Sequence, residues 1–196
     1  MKLYLIRHGH TPSMSHSYFL GATDEPLSAE GREQIIALQE QLADIPLHLV
    51  LASPLQRALE SANLFCSARP GLEIKVNPKL AERNFGVFEK KAYGELLQTY
   101  PELIAEWNAD VWNFVPPGGE SAENFRIRIA NYLFQEILVD IPPSQSVAVF
   151  THSGVIRILL AEAMNFNRDQ VWRFSIAPGH MVKLEFDTED YAFVHW

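Results

Sequence analysis

The chain has 196 residues, of which 47% are hydrophobic and 20% are charged. This balance is typical of one globular domain and excludes a disordered or collagen-like chain. The net charge of −8, from 16 basic and 24 acidic residues, argues against nucleic acid or an anionic membrane surface as the partner. No run approaches the ~18 apolar residues that a membrane span needs.

The single cysteine, Cys66, cannot form an internal disulfide, and the chain offers no cysteine cluster for a metal. A lone cysteine is typical of proteins in a reducing compartment. The apolar start at residues 1–6 is too short for the apolar region of a secretory signal. We therefore expect a single cytoplasmic domain over residues 1–196.

Short apolar runs alternate with helical patterns along the chain, which predicts an α/β fold with a mostly parallel sheet. Predicted strands cover residues 3–6, 47–52, 74–76, 146–151, 181–187 and 191–196. Helices are predicted to begin at three serine N-caps, Ser28, Ser53 and Ser121, and a fourth covers residues 155–164. Residues 83–120 combine charges with many aromatic side chains, and we interpret them as an inserted helical flap.

Basic side chains follow several of the predicted strands. Arg7 and His8 end the first strand, Arg57 follows the second, and His152 ends a later one. Ligands bind beyond the carboxyl ends of the strands in such sheets, so these four side chains should converge. Because an arginine fork binds a compact oxyanion in bidentate fashion, the sequence predicts a phosphoryl-binding pocket.

A neutral histidine can act as a covalent nucleophile, and His8 is the candidate here. Release of the alcohol then needs a general acid, for which Glu82 before the flap is our first choice and Glu89 the alternative. Ser153 is a candidate hydrogen-bond donor to the phosphate. Arg128 and Arg157 are expected on helix surfaces.

Four segments in this order resemble the histidine phosphatase superfamily, the phosphoglycerate-mutase-like proteins, over nearly the whole chain. They are residues 5–11 (LIRHGHT), 53–58 (SPLQRA), 80–86 (LAERNFG) and 151–157 (THSGVIR). A further segment, residues 21–28, is similar to the loop before the family's first helix, and it makes Thr23 a candidate substrate-binding residue.

The resemblance implies a three-layer α/β/α sandwich and a reaction that needs no metal or cofactor. It also implies that His8 is the phosphorylated nucleophile and Glu82 the proton donor. Arg7, Arg57 and His152 would bind the phosphate. His10, Met14, Ser153 and the segment 87–90 depart from the family's usual residues, and no role for His10 is evident.

The flap tryptophans and the Pro-Pro-Gly-Gly run at residues 116–119 are most similar to the α-ribazole phosphatase branch of cobalamin biosynthesis. The expected activity is therefore hydrolysis of a small phosphate ester, with α-ribazole 5′-phosphate as the expected substrate. A phosphoglycerate mutase, a broad-specificity sugar-phosphate phosphatase and a non-catalytic phospho-ligand binder remain as alternatives.

Two other interpretations have weaker support. A metal hydrolase could use the His8-x-His10 spacing, although two nearby arginines would repel a cation. A serine hydrolase would need a Gly-x-Ser-x-Gly elbow, which Ser153 lacks. The final predicted strand could also form an exposed edge for a homodimer.

Overall fold

The computed structural model describes residues 1–186 and 192–195. Within them lies a six-stranded sheet with the order β3-β2-β4-β1-β5-β6. The strands are β1 (Lys2–Arg7), β2 (Leu49–Ala52), β3 (Ile74–Val76), β4 (Ser146–Thr151), β5 (Met181–Phe186) and β6 (Ala192–His195). The first four are mutually parallel, whereas β5 and β6 are antiparallel additions. The predicted mixed, mostly parallel sheet is confirmed.

Helices cover both faces of this sheet. They are α1 (Ala29–Gln41), α2 (Gln56–Cys66), α3 (Tyr93–Thr99), α4 (Pro101–Ala109), α5 (Ala122–Tyr132), α6 (Leu138–Asp140) and α7 (Ser153–Ala163). A π-helical turn, Leu133–Ile137, joins α5 to α6. Short 3₁₀ turns lie at Pro12–His16, Pro78–Leu80, Gly86–Phe88 and Arg168–Arg173.

The alternation of side chains along the strands separates two buried layers. Leu3 and Leu5 of β1 pack in one cluster with α5 and α7. Tyr4 and Ile6 of the same strand face the opposite cluster, which contains α1 and α2. The central strands are thus apolar on both faces, as their continuous apolar sequence indicated. The predicted three-layer α/β/α sandwich is confirmed.

The flap, residues 83–120, contains α3 and α4 and has an apolar cluster of its own. Phe88, Leu96 and Ile104 are its fully buried members. Phe88 packs against Trp107 with ring centroids 5.6 Å apart. The flap therefore has its own aromatic core, and among the described residues only Trp112 of the flap joins the buried cluster that faces the sheet. That the flap belongs to one domain with the rest of the chain stays our proposal.

Two of the three predicted N-caps are confirmed. The Ser28 hydroxyl accepts a hydrogen bond from the Gly31 N–H, and Ser121 caps α5 in the same way. The prediction for Ser53 is wrong, because α2 begins only at Gln56 and Leu55 occupies the cap position. The Ser53 side chain contacts a histidine of the candidate site instead.

The predicted closing strands correspond to β5 and β6, while Asp187, Tyr191 and Trp196 of those predictions lie outside the described residues. Strand β6 is the last in the sheet order, and the homodimer through this edge stays a prediction. In the described part of the chain, no helix is long and apolar enough to cross a membrane.

Candidate active site

Strands β1 and β4 lie side by side and end in the same place, so they bring two histidines together. Arg7 pairs with Thr151 in the parallel register, and the His8 N–H donates to the Thr151 carbonyl at 2.9 Å. As a result the His8 and His152 ring centroids are 5.1 Å apart. A pocket of ≈ 110 Å³ opens there, lined by Arg7, His8, Met14, Tyr18, Leu20, Arg57, Glu82 and Ser153.

The contacts of His8 define its chemical form. Its Nδ1 lies 2.8 Å from the Gly9 carbonyl oxygen, and since a carbonyl only accepts, Nδ1 carries the proton. Burial, with a further contribution from Arg57, holds the pKa of His8 well below its usual value. The imidazole is therefore neutral near pH 7, with a lone pair on Nε2.

His10, the second histidine of the pair around Gly9, lies apart from this pocket. Its Nδ1 is 2.9 Å from the Ser28 hydroxyl, and its backbone N–H donates to Gln34. A Cβ on Gly9 would lie 2.3 Å from the Gly31 carbonyl oxygen, so only glycine permits this close approach. His10 therefore anchors the turn after β1 to the start of α1.

Arg57 is almost completely buried, with 1% of its surface exposed. Its Nη1 and Nη2 donate to the carbonyls of Thr23 and Gly21 at 2.8 and 2.7 Å. Its Nε donates a hydrogen bond to His8 Nε2 at 3.3 Å. Burial lowers the pKa of Arg57, and the charge of Glu82 opposes this shift. The arginine thus adjoins the lone pair of His8, and Thr23 contacts it through the backbone carbonyl.

Arg7 and His152 each have one buried side-chain nitrogen without a hydrogen-bond partner among the described residues. Arg7 Nη1 donates to the Ile176 carbonyl at 2.6 Å, while its Nε is buried and unpaired. His152 Nε2 lies 2.8 Å from the Ser53 hydroxyl, and its Nδ1 is also buried and unpaired. Buried polar atoms normally have partners, so these two nitrogens have capacity left to bind a ligand.

Glu82 reaches the pocket at the first turn of α7. Its two carboxylate oxygens accept from the backbone N–H groups of Arg83 and Gly154, at 3.0 and 2.9 Å. A Cβ on Gly154 would lie 2.3 Å from Glu82 Oε1. Gly154 is therefore needed for Glu82 to reach its place beside Ser153, which lines the same pocket.

The segment before Glu82 is fixed from two sides. The Thr151 hydroxyl donates to the Leu80 carbonyl at 2.7 Å, and Arg128 Nη1 donates to the carbonyls of Lys79 and Ala81. We expected Arg128 on a helix surface, but it is half-buried in this role. Only the tertiary fold reveals it, because the contact spans 47 residues or more.

Glu89 has a different environment from Glu82. Its carboxylate accepts hydrogen bonds from four backbone N–H groups, those of Gly21, Ala22, Thr23 and Phe85. It therefore faces the loop before α1, and it is absent from the lining of the His8 pocket. This geometry favours Glu82 over Glu89 as the carboxylate next to a bound phosphoryl group.

A second, larger pocket of ≈ 340 Å³ adjoins the first and shares Glu82 and Ser153 with it. Its walls are mostly apolar and aromatic and come from the flap, α5, α7 and the turn Arg168–Arg173. The aromatic members are Phe19, Phe85, Trp107, Trp112, Phe125 and Trp172. Arg157 also lines it, so the expectation that this arginine lies on a plain helix surface is wrong.

The described residues contain no group of three or more His, Cys, Asp and Glu side chains that could hold a metal ion. The His8-x-His10 pair does not converge on one point, because His10 contacts Ser28 while His8 contacts Arg57. The pocket lining contains two arginines, one histidine and one carboxylate, with His152 next to His8, and this set suits an anion better than a cation.

The buried histidines should make stability depend on pH. Burial lowers the pKa of both His8 and His152 in the folded chain, so below pH 6.5 the unfolded chain binds more protons. Stability should therefore fall as pH drops below 6.5, by up to about 1.4 kcal/mol per pH unit for each histidine. Urea unfolding in phosphate-free buffers from pH 7.5 to 5.5 measures this slope.

The control pair is His152→Gln against His16→Gln, an exposed histidine. The first substitution should reduce the slope to about half, because one of the two buried imidazoles is lost. The second should leave it unchanged. An equal slope in the wild type and the His152→Gln variant would contradict the burial of a neutral His152.

Known proteins resemble this chain in sequence over most of its length. It is 31% identical to the adenosylcobalamin/alpha-ribazole phosphatase of Escherichia coli K12 across 179 residues, which are 91% of this chain and 87% of that protein. It is also 28% identical to a 2,3-bisphosphoglycerate-dependent phosphoglycerate mutase of Gloeobacter violaceus, over 89% of this chain and 80% of that one.

Solved structures give the same result. The alpha-ribazole phosphatase of Shigella flexneri superposes with a TM-score of 0.92 at 29% identity, covering 100% of this chain and 95% of that one. A mycobacterial glucosyl-3-phosphoglycerate phosphatase in complex with VO₃ has a TM-score of 0.83 at 25% identity, covering 99% and 96%. The resemblance to the α-ribazole phosphatase branch is thus confirmed.

The family can now be stated from the whole chain. Residues 3–196 match the histidine phosphatase superfamily (branch 1). The four motif segments, the sandwich fold and the buried histidine pair agree with that match. The chain belongs to the histidine phosphatase superfamily, branch 1.

Proposed function

We propose that the protein is a phosphomonoesterase that hydrolyses α-ribazole 5′-phosphate through a phosphohistidine at His8. The observation that carries this proposal is the form of His8: buried, neutral, protonated at Nδ1, and with Nε2 beside Arg57. An imidazole in this form is ready to attack phosphorus without first losing a proton.

The reaction would proceed in two steps, formation of the phosphohistidine and then its hydrolysis. His8 Nε2 forms a bond to phosphorus while the bond to the alcohol oxygen breaks, and Glu82 gives that oxygen its proton. Glu82 then takes a proton from water as the water oxygen attacks phosphorus. The N–P bond breaks, its electron pair returns to His8 Nε2, and inorganic phosphate leaves.

The arginines would stabilise the charge that develops on the phosphoryl oxygens. Arg7 and Arg57 line the pocket, and the His152 ring centroid lies 5.1 Å from that of His8. Preorganised donors of this kind supply most of the catalysis in phosphoryl transfer. Ser153, a candidate substrate contact, lines the pocket, and Thr23, the other candidate, contacts Arg57 through its backbone carbonyl.

The larger pocket supports an aromatic alcohol as the leaving group. Its volume of ≈ 340 Å³ falls in the range of roughly 300–1,000 Å³ that holds ligands of nucleoside size. The flat benzimidazole of α-ribazole would stack well on the rings of Phe85 or Trp107. A phosphoglycerate or a simple sugar phosphate lacks an aromatic group for these walls.

The free, half-buried thiol of Cys66 supports a cytoplasmic location.

A phosphate-release screen tests this proposal directly. The panel contains α-ribazole 5′-phosphate, 3-phosphoglycerate, several sugar phosphates and a chromogenic aryl phosphate, each with and without a chelator. We expect the highest kcat/KM for α-ribazole 5′-phosphate and no effect of the chelator. A coupled assay for 2-phosphoglycerate measures mutase activity in the same samples.

Each of the other outcomes identifies an alternative. Faster turnover of 3-phosphoglycerate with formation of 2-phosphoglycerate would make the protein a mutase. Similar kcat/KM values over all esters would indicate a broad-specificity phosphatase. Binding of phosphate esters without turnover would indicate a non-catalytic binder, and loss of activity with the chelator would indicate a metal hydrolase.

A further inference from the structure

Glu89 has no role in the two chemical steps, yet its carboxylate accepts four hydrogen bonds from backbone N–H groups. It accepts from Gly21 and Thr23 through Oε2, at 3.0 and 3.2 Å, and from Ala22 and Phe85 through Oε1, both at 2.9 Å. Three of these donors belong to one loop, residues 21–23, and the fourth to the flap. A charged acceptor shared by four backbone N–H groups fixes their relative positions strongly.

The same loop binds the phosphate-site arginine on its other side. The carbonyls of Gly21 and Thr23 accept from Arg57 Nη2 and Nη1, at 2.7 and 2.8 Å. The Nε of this guanidinium lies 3.3 Å from His8 Nε2. A continuous series of hydrogen bonds therefore leads from Glu89, through the 21–23 loop and Arg57, to the nucleophile.

The loop has little freedom to take another position. A Cβ on Gly21 would lie 1.8 Å from the Arg83 carbonyl oxygen and 2.7 Å from Glu89 Oε1. Phe19 in the preceding segment pairs with the flap residue Lys91 through its backbone N–H. The loop and the start of the flap are thus packed as one unit against Arg57.

We infer that Glu89 is a positioning residue, which orients Arg57 for phosphoryl binding by holding the carbonyls of the 21–23 loop in place. This inference rests on the proposed function, because it concerns the same phosphoryl site. It gives the flap a second purpose besides forming the leaving-group pocket: a flap carboxylate sets the geometry of the arginine beside His8.

The test compares Glu89→Gln with Glu95→Gln, an exposed glutamate in the first turn of α3. The side-chain amide introduced by Glu89→Gln would place N–H groups against backbone N–H donors, so the loop loses part of its support. We expect orthovanadate, an analogue of the transferring phosphoryl group, to bind Glu89→Gln about tenfold more weakly or worse. Glu95→Gln should bind it like the wild type.

Three further measurements separate positioning from a general loss of folding. The burst of alcohol in the first turnover counts active sites, so kcat can be expressed per folded enzyme. Per active site, kcat should fall about tenfold or more in Glu89→Gln, while the acid limb of its pH profile is unchanged. Glu89→Asp retains the charge, so its vanadate affinity and its kcat per active site should lie between those of the wild type and Glu89→Gln. If Glu89→Gln fails to fold, Glu89→Asp should still show a loss relative to the wild type.

A double-substitution test identifies the route through the arginine. In the Arg57→Lys background, Glu89→Gln should weaken vanadate binding less than twofold further, because lysine cannot bind both carbonyls. Equal losses in both backgrounds, or wild-type vanadate affinity and kcat in Glu89→Gln, would overturn the inference. If instead the wild type releases no phosphate from any ester, the proposed function itself fails.

Discussion

Replacing His8 by glutamine should abolish turnover of every phosphate ester, with a fall in kcat of about 10⁴-fold or more. Glutamine approximates the size of the imidazole, but the lone pair of its amide nitrogen is delocalised into the carbonyl, so it lacks a nucleophilic nitrogen. The site around it stays charged, because Arg7 and Arg57 are bound to backbone carbonyls independently of His8. Phosphate release with a chromogenic aryl phosphate measures the effect.

The same experiment can detect the intermediate. Wild-type enzyme quenched in alkali during turnover should show the added mass of one phosphoryl group, and the His8→Gln variant should not. His10→Gln is the matched control, since His10 contacts Ser28 and Gln34 outside the pocket. Wild-type turnover by His8→Gln, or a phosphoryl group on another residue, would disprove the mechanism.

Replacing Glu82 by glutamine should slow the release of poor leaving groups far more than that of good ones. An alkyl alcohol such as the ribose 5′-oxygen needs a proton as it departs, and a carboxyl acid supplies about 10²–10⁴-fold of the rate. A nitrophenolate leaves without that proton. We therefore expect a loss of about 10²-fold or more for alkyl esters and less than about tenfold for the nitrophenyl ester.

A series of aryl phosphates with graded phenol pKa values makes this comparison quantitative, as the slope of log rate against leaving-group pKa. The dependence of phosphoenzyme formation on leaving-group pKa should be steeper in Glu82→Gln than in the wild type. If both enzymes give the same slope, Glu82 is not the acid. An equal loss for all esters would indicate that it acts only through its contacts with Arg83 and Gly154.

The sheet was predictable from sequence because its central strands β1, β2 and β4 are apolar on both faces and are followed by recognisable polar groups. The helix starts were predictable only where the serine side chain caps its own helix. Ser28 and Ser121 cap α1 and α5, but the Ser53 hydroxyl contacts His152 across 99 residues, and α2 starts three residues later. A local signal for a helix start cannot reveal such a distant partner.

The candidate site likewise contains residues that local motifs indicate and residues that only tertiary contacts identify. Strand ends and motif order indicate His8, Arg57 and His152, which the fold brings together. The sequence offers no signal that Glu89 binds the 21–23 loop or that Arg128 holds the segment before Glu82. Those roles depend on backbone groups, and every residue carries similar backbone groups, so composition and spacing do not distinguish them.

The independent packing of the flap has a consequence for how this enzyme could diverge. Phe88, Leu96 and Ile104 form a cluster separate, in the described part of the chain, from the two clusters that face the sheet. Mutations at Phe85 and Trp107, which line the larger pocket and pack against this flap cluster, would thus leave the apolar contacts of β1 and β4 undisturbed. Descendants could exchange one alcohol for another while inheriting the same phosphorus chemistry, provided that a carboxylate persists at position 89.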